Sequence, residues 1–171
     1  DGRPDTSDRF AIDADNGSTT GLPVLLTWDN DAPRPGGLVN LGFTGLMTNG
    51  VANYESLFDP AGMTAGGAAG VTTIDAVPAG DAFSTGDTQE YGFQLGVHVT
   101  PATGIFTAHT RILAPFAGLT PADFQSMGLF LGTGTQDDYV KLVVSANGGS
   151  GGVHTTLARH SARYHSYVPH L

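Results

Sequence analysis

Cysteine is missing altogether from the 171 residues, so disulfides and thiolate metal sites are excluded. Charge is scarce: Asp, Glu, Lys and Arg make up 13% of the chain, about half of the usual ~25%. Glutamate occurs twice, at Glu55 and Glu90, and tryptophan once, at Trp28. No hydrophobic run approaches the roughly 20 residues that a membrane-spanning helix needs. Basic residues are outnumbered 7 to 16 by acidic ones, giving a net charge of −9. Such a body repels a phosphate backbone, which argues against nucleic acid as a partner. No acid lies beyond Asp138, and the region from Val153 onward carries two Arg and four His instead.

What is abundant is turn chemistry. Gly occurs 25 times and Pro 10 times, which disfavours long helices. Gly, Pro, Asn and Asp clusters recur between short apolar runs, the pattern of an all-β sandwich or barrel. In residues 91–100, Tyr91, Phe93, Leu95, Val97 and Val99 alternate with small or polar residues, which predicts a half-buried strand. Residues 104–113 repeat the pattern with Phe106, Ala108, Thr110 and Ile112 on one face. Thr120, Pro121 and Asp123 give 119–128 the opening of a short helical turn. Residues 128–146 read as a hairpin around GTQDD, with Val140, Leu142 and Val144 toward the core and Tyr139, Lys141 and Val143 away from it. Strands are also expected at 23–28, at 38–48 and within 68–80. Trp28, ending an apolar strand, reads as a core residue.

An antiparallel sheet often leaves one face wet, and side chains on that face can read a ligand. The alternation places Gln94, His98, His109, Arg111, Tyr139 and Lys141 on non-core faces. If their strands are neighbours, these six form a polar patch able to hydrogen-bond sugar hydroxyls, with Tyr139 as a stacking ring. Two acidic turns, Asp13-Ala14-Asp15 and Asp29-Asn30-Asp31, bunch oxygen ligands of the kind Ca²⁺ prefers. The expected role is structural, tying a loop to the sandwich; Asp and Asn also make turns unaided. The literal G-x-S-x-G match around Ser150 sits in a Gly/Ser turn, where the strand-to-helix elbow of a hydrolase has no support.

The residues FTAHTRIL, QSMGLFLGTGTQDDYVKLVVSANGG and LGFTGLMTNG resemble the concanavalin A-like (laminin G, lectin-glucanase) β-sandwich superfamily. They are most similar to the non-catalytic modules of bacterial exported proteins. Gly128-Leu129, the acidic turn Gln136-Asp137-Asp138 and Tyr139-Val140-Lys141-Leu142 carry the likeness, which covers roughly 38–152. It implies an antiparallel two-sheet jelly roll over 1–152 that acts outside the cell or at its surface. The expected function is accessory glycan binding or adhesion within a larger multidomain protein. The His-rich segment 153–171 departs from the pattern and reads as a loose or foreign tail. The chain begins at Asp1 without Met, as a processed piece of something longer would.

Enzymes of similar fold supply the alternative. Retaining glucanases need two carboxyls about 5–5.5 Å apart, and their paired-Glu strand motif surrounds neither Glu55 nor Glu90. Jelly-roll polysaccharide lyases use Gln, His, Arg and Tyr, and Gln94, His98, Arg111, Tyr139 and Lys141 resemble that set in type. The spacing departs from theirs: Gln94 and His98 are four apart, and Arg111 stands alone. A spacer without a ligand is the third possibility.

Overall fold

The computed structural model describes residues 4, 8–26, 34–35, 41–52, 56–66, 70–81, 86–116, 118–146, 153–161 and 166–168. At 34–35, 65–66, 153–161 and 166–168 it is the backbone path that is described. Among the described residues the chain is strand-rich and nearly free of helix, the composition of an all-β fold. Its strands are β1 (Arg34–Pro35), β2 (Gly45–Leu46), β3 (Met63–Gly66), β4 (Val71–Ile74), β5 (Phe93–Gln94), β6 (Ser126–Gly132), β7 (Asp138–Ala146), β8 (Val153–Ser161) and β9 (Ser166–Val168). They form three antiparallel sheets, ordered β1-β3-β4, β2-β5 and β6-β7-β8-β9. A parallel bridge, Thr48 to Thr135, links the region after β2 to the β6–β7 turn. Asp59 caps a 3-10 turn at Pro60–Gly62 by accepting the Ala61 N–H at 2.8 Å. No helix among the described residues is long and apolar enough to cross a membrane.

The core lies around β2, β3 and β5. Leu46 and Leu57 are buried against Ala11, Phe43, Ala52, Phe58 and Phe93. Leu41 and Met63 are buried against Phe43, Phe58, Ile74, Tyr91 and Phe93. The two groups share Phe43, Phe58 and Phe93, so Phe93 is the hinge of the packing. Its ring stacks on Phe43 at 5.6 Å and takes edge contacts from Phe58 at 5.9 Å and Tyr91 at 6.0 Å, the offset and T-shaped geometries aromatic quadrupoles favour.

The hairpin expected over 128–146 is present as β6 and β7, and β4 falls within the expected 68–80. The orientation of β7 is the reverse of the expected one. Tyr139 and Val143 are buried and Lys141 is half-buried, whereas Val140 and Leu142 are exposed. The register supplies the reason: Tyr139 faces Gly132 and Val143 faces Gly128. A Cβ added at Gly132 would stand 2.6 Å from the Tyr139 Cβ, and one at Gly128 would stand 2.9 Å from a Val143 methyl. The glycines leave room on one face for these side chains to fold inward, and apolar count alone could not show it.

Other expected elements are shortened or replaced. Residues 91–100 keep a ladder only at β5. Tyr91 takes a positive φ of 57°, and the segment bonds to several partners in turn: Tyr91 N–H to the Leu57 carbonyl, the Gly92 and Gln94 carbonyls to Met47 and Thr44, and His98 N–H to the Thr20 carbonyl. Residues 104–113 form no strand, and Phe106 stands exposed. With Ala108 and Thr110 sharing its face, too little apolar area is available to fix a register. The helical turn at 119–128 is replaced by a left-handed Phe124, φ 68°. Gln125 then ties back to Ala122 through both its N–H and its side chain and leads into β6. Residues 23–26 form no strand, and within 41–48 the strand is β2; residues 27–28 and 38–40 of these two expected strands lie outside the described residues. Within the segment read as a loose tail, β8 pairs along β7 from Asp138↔Ser161 to Ala146↔Val153, with β9 beyond it.

Candidate functional site

The inward face of β7 gathers unusual polar groups. Phe130 and Lys141 are register partners, so both side chains share the face of Tyr139. The Phe130 and Tyr139 rings meet edge to face at 6.2 Å. Burial, then the Asp87 and Asp81 carboxylates, push the Tyr139 hydroxyl far above its ordinary value of 10.0. Burial holds the Lys141 ammonium below its ordinary 10.5, with Asp81 pulling the other way. Both carboxylates belong to the 81–88 loop. That loop is closed by the Thr88 N–H donating to the Asp81 carbonyl at 3.0 Å and the Asp81 N–H donating to the Thr88 hydroxyl at 2.9 Å. Asn49 fixes its far end by donating to the Asp87 carbonyl at 3.1 Å. An aromatic edge, an ammonium and a protonated phenol thus share one partly dry face within the field of two carboxylates.

Behind this face three glutamines stitch separate segments together. Gln136 is 1% exposed; its amide donates to the Met47 carbonyl at 3.0 Å and the Gln89 carbonyl at 2.9 Å. Gln94 donates to the carbonyls of Arg9 at 2.6 Å, Leu46 at 3.0 Å and Gly134 at 3.1 Å. Gln89 donates to the Tyr139 hydroxyl and the Met47 sulfur, each at 3.3 Å. Carbonyls accept only, so they fix which end of the Gln94 and Gln136 amides is nitrogen.

At the other end of this network is a cleft of about 270 Å³ lined by Arg9, Phe10, Asn16 and Thr133. The Arg9 guanidinium donates from Nη1 to the Thr133 carbonyl at 2.6 Å. Asp8 beside it is buried and accepts the Phe10 N–H at 3.0 Å.

Of the six side chains expected to form one wet patch, the structure brings Tyr139 and Lys141 together, on an inward rather than an outward face. Gln94 is a buried tie, because its amide finds three carbonyls inside. His98, His109 and Arg111 are exposed along the irregular segment that follows β5. The charged partners of the pair, Asp81 and Asp87, went unnoticed in the sequence; DAFSTGD has no periodicity, and only its flanking aspartates could have marked it. Arg9 was missed for a similar reason, since its setting is made by residues 85 and 124 positions away.

The acidic turn at Asp13 and Asp15 is accounted for by its own bonds. Asp13 accepts the Asp15 N–H at 3.2 Å, and Asp15 accepts the Gly17 N–H at 3.2 Å and the Thr19 hydroxyl at 2.5 Å. The Thr19 hydroxyl is the main reason that the Asp15 carboxyl lies below its usual range. Both carboxylates of the expected cation turn thus accept hydrogen bonds from within the turn. No group of three or more His, Asp or Glu poised for a metal occurs among the described residues. Asp29, Asp31, Trp28, Glu55 and Ser150 lie outside those residues. Compared with protein-family models, curated proteins and solved structures, the chain matches none of them.

Proposed function

We propose that this chain is an accessory glycan-binding or adhesion module on an antiparallel β-sandwich of concanavalin A-like, jelly-roll type, working outside the cell. The observation that carries the reading is the β7 face, where Phe130, Tyr139 and Lys141 meet the Asp81 and Asp87 loop. A sugar offers an apolar C–H face and a rim of hydroxyls. Phe130 suits the first, and an ammonium and carboxylates suit the second. The antiparallel order β6-β7-β8-β9 supports the sheet that such a module needs. A hydroxyl whose ionisation is pushed upward by burial and two carboxylates stays protonated at neutral pH, so Tyr139 keeps its O–H there as a hydrogen-bond donor.

Affinity electrophoresis through alginate, pectin, xylan and β-glucan tests the proposal. Retardation by at least one polymer is expected. Lys141→Ala and Phe130→Ala, checked for unchanged melting, should each weaken it by roughly tenfold, about 1.4 kcal/mol. No retardation by any of the four would defeat the reading. An unsaturated product absorbing in the ultraviolet would replace it with a lyase.

A further inference from the structure

We propose that the cleft at Arg9 is a carboxylate-binding subsite that takes a single acidic sugar residue. It depends on the glycan reading for the sugar and on its own geometry for the acid. Arg9 is fixed at three points. Gln94, itself buried, donates to the Arg9 carbonyl at 2.6 Å. The aliphatic stem lies over Gly134, where an added Cβ would come within 2.8 Å of the Arg9 Cδ. Gly134 has φ 93°, a conformation other residues resist, so the bare backbone under the stem is built in. The third point is the Thr133 carbonyl, which accepts from Nη1 at 2.6 Å.

That last bond engages one of five guanidinium donors, and its acceptor carries no formal charge. A guanidinium stays protonated at any ordinary pH, and its planar fork matches a carboxylate in two parallel hydrogen bonds. Asp8, the chain neighbour of Arg9, is buried and accepts the Phe10 N–H. Phe10 adds an apolar surface, while Asn16 and Thr133 add polar groups around it. The volume, about 270 Å³, falls just short of the ~300 Å³ at which drug-sized sites begin, so it suits one ring rather than an oligomer. Holding Arg9 in place beforehand removes part of the ordering cost of binding.

The test is an NMR titration of the whole chain with glucuronate, glucose and acetate, following the Arg9 Nε–H and the Phe10 and Thr133 amides. Glucuronate should shift these signals and bind at least about tenfold more tightly than either of the other two. Arg9→Gln should weaken glucuronate about tenfold, the loss of one charge-assisted pair, and Arg9→Lys should restore part of it. Equal binding of glucuronate and glucose would overturn the carboxylate assignment. Acetate binding as tightly as glucuronate would overturn the sugar assignment. Should Arg9→Gln fail to fold, the wild-type shifts decide: movement confined to the β7 face overturns the subsite. Retardation by neutral polymers depends on Lys141 rather than Arg9, so the glycan reading can survive the loss of this subsite.

Discussion

Leu46 and Leu142 are the same residue type in strands of one protein, yet the first has no exposed surface and the second is 49% exposed. Around Leu46 regular structure is sparse, with β2 and β5 only two residues each. Order there comes from aromatic packing on Phe93 and from glutamine amides bonded to the backbone of distant segments. Around Leu142 the reverse holds: β6 and β7 run seven and nine residues with a full ladder, while their outward face stays apolar and open. Backbone regularity and burial therefore come apart in this molecule, and stability should follow burial.

Replacing each leucine by alanine is the sharpest way to break that contrast. Leu46→Ala should cost about 2–5 kcal/mol through lost transfer energy and a residual cavity, and Leu142→Ala less than about 1 kcal/mol. Urea unfolding monitored by tyrosine and tryptophan fluorescence measures both, and equal costs would remove the distinction. Next in size is Gln136→Leu. It withdraws the donors from two carbonyls in the interior and should cost about 1–3 kcal/mol in the same assay. A neutral result would mean that packing alone holds the front region.

The smallest effect is a dependence on pH. Lys141 has a lowered pKa in the folded chain, so the unfolded chain binds the extra proton and stability rises as pH climbs toward 10.5. Tyr139 has a raised one, so the unfolded chain releases its proton first and stability falls as pH rises past 10.0. Melting temperatures from pH 8 to pH 11 should show an alkaline decline that is shallower in Tyr139→Phe. An identical decline in both proteins would show that Tyr139 is not desolvated.

The hairpin was legible in sequence because two signals agreed there, period-2 alternation and an acidic, glycine-bearing turn. Its facing was not, because Tyr139-Lys141-Val143 and Val140-Leu142-Val144 are both credible inner rows. The deciding residues, Gly128 and Gly132, lie on the other strand. Phe93 was legible as core by alternation. Gln94 was not legible as its buried neighbour, since an amide reads as polar until three carbonyls are known to surround it. The candidate site was half legible: Tyr139 and Lys141 lie in a periodic strand, whereas Asp81, Asp87 and Arg9 sit in stretches whose meaning depends on distant partners.

The outward row of Met127, Leu131, Val140 and Leu142 bears on how this protein behaves in a crowded tube. Two copies meeting by that ribbon would shed water from oily surface, and at neutral pH their shared surplus of nine negative charges keeps them apart. Acidifying toward pH 4.7 erases the surplus. Turbidity should then appear first in the wild type and later when Leu142 is made Lys.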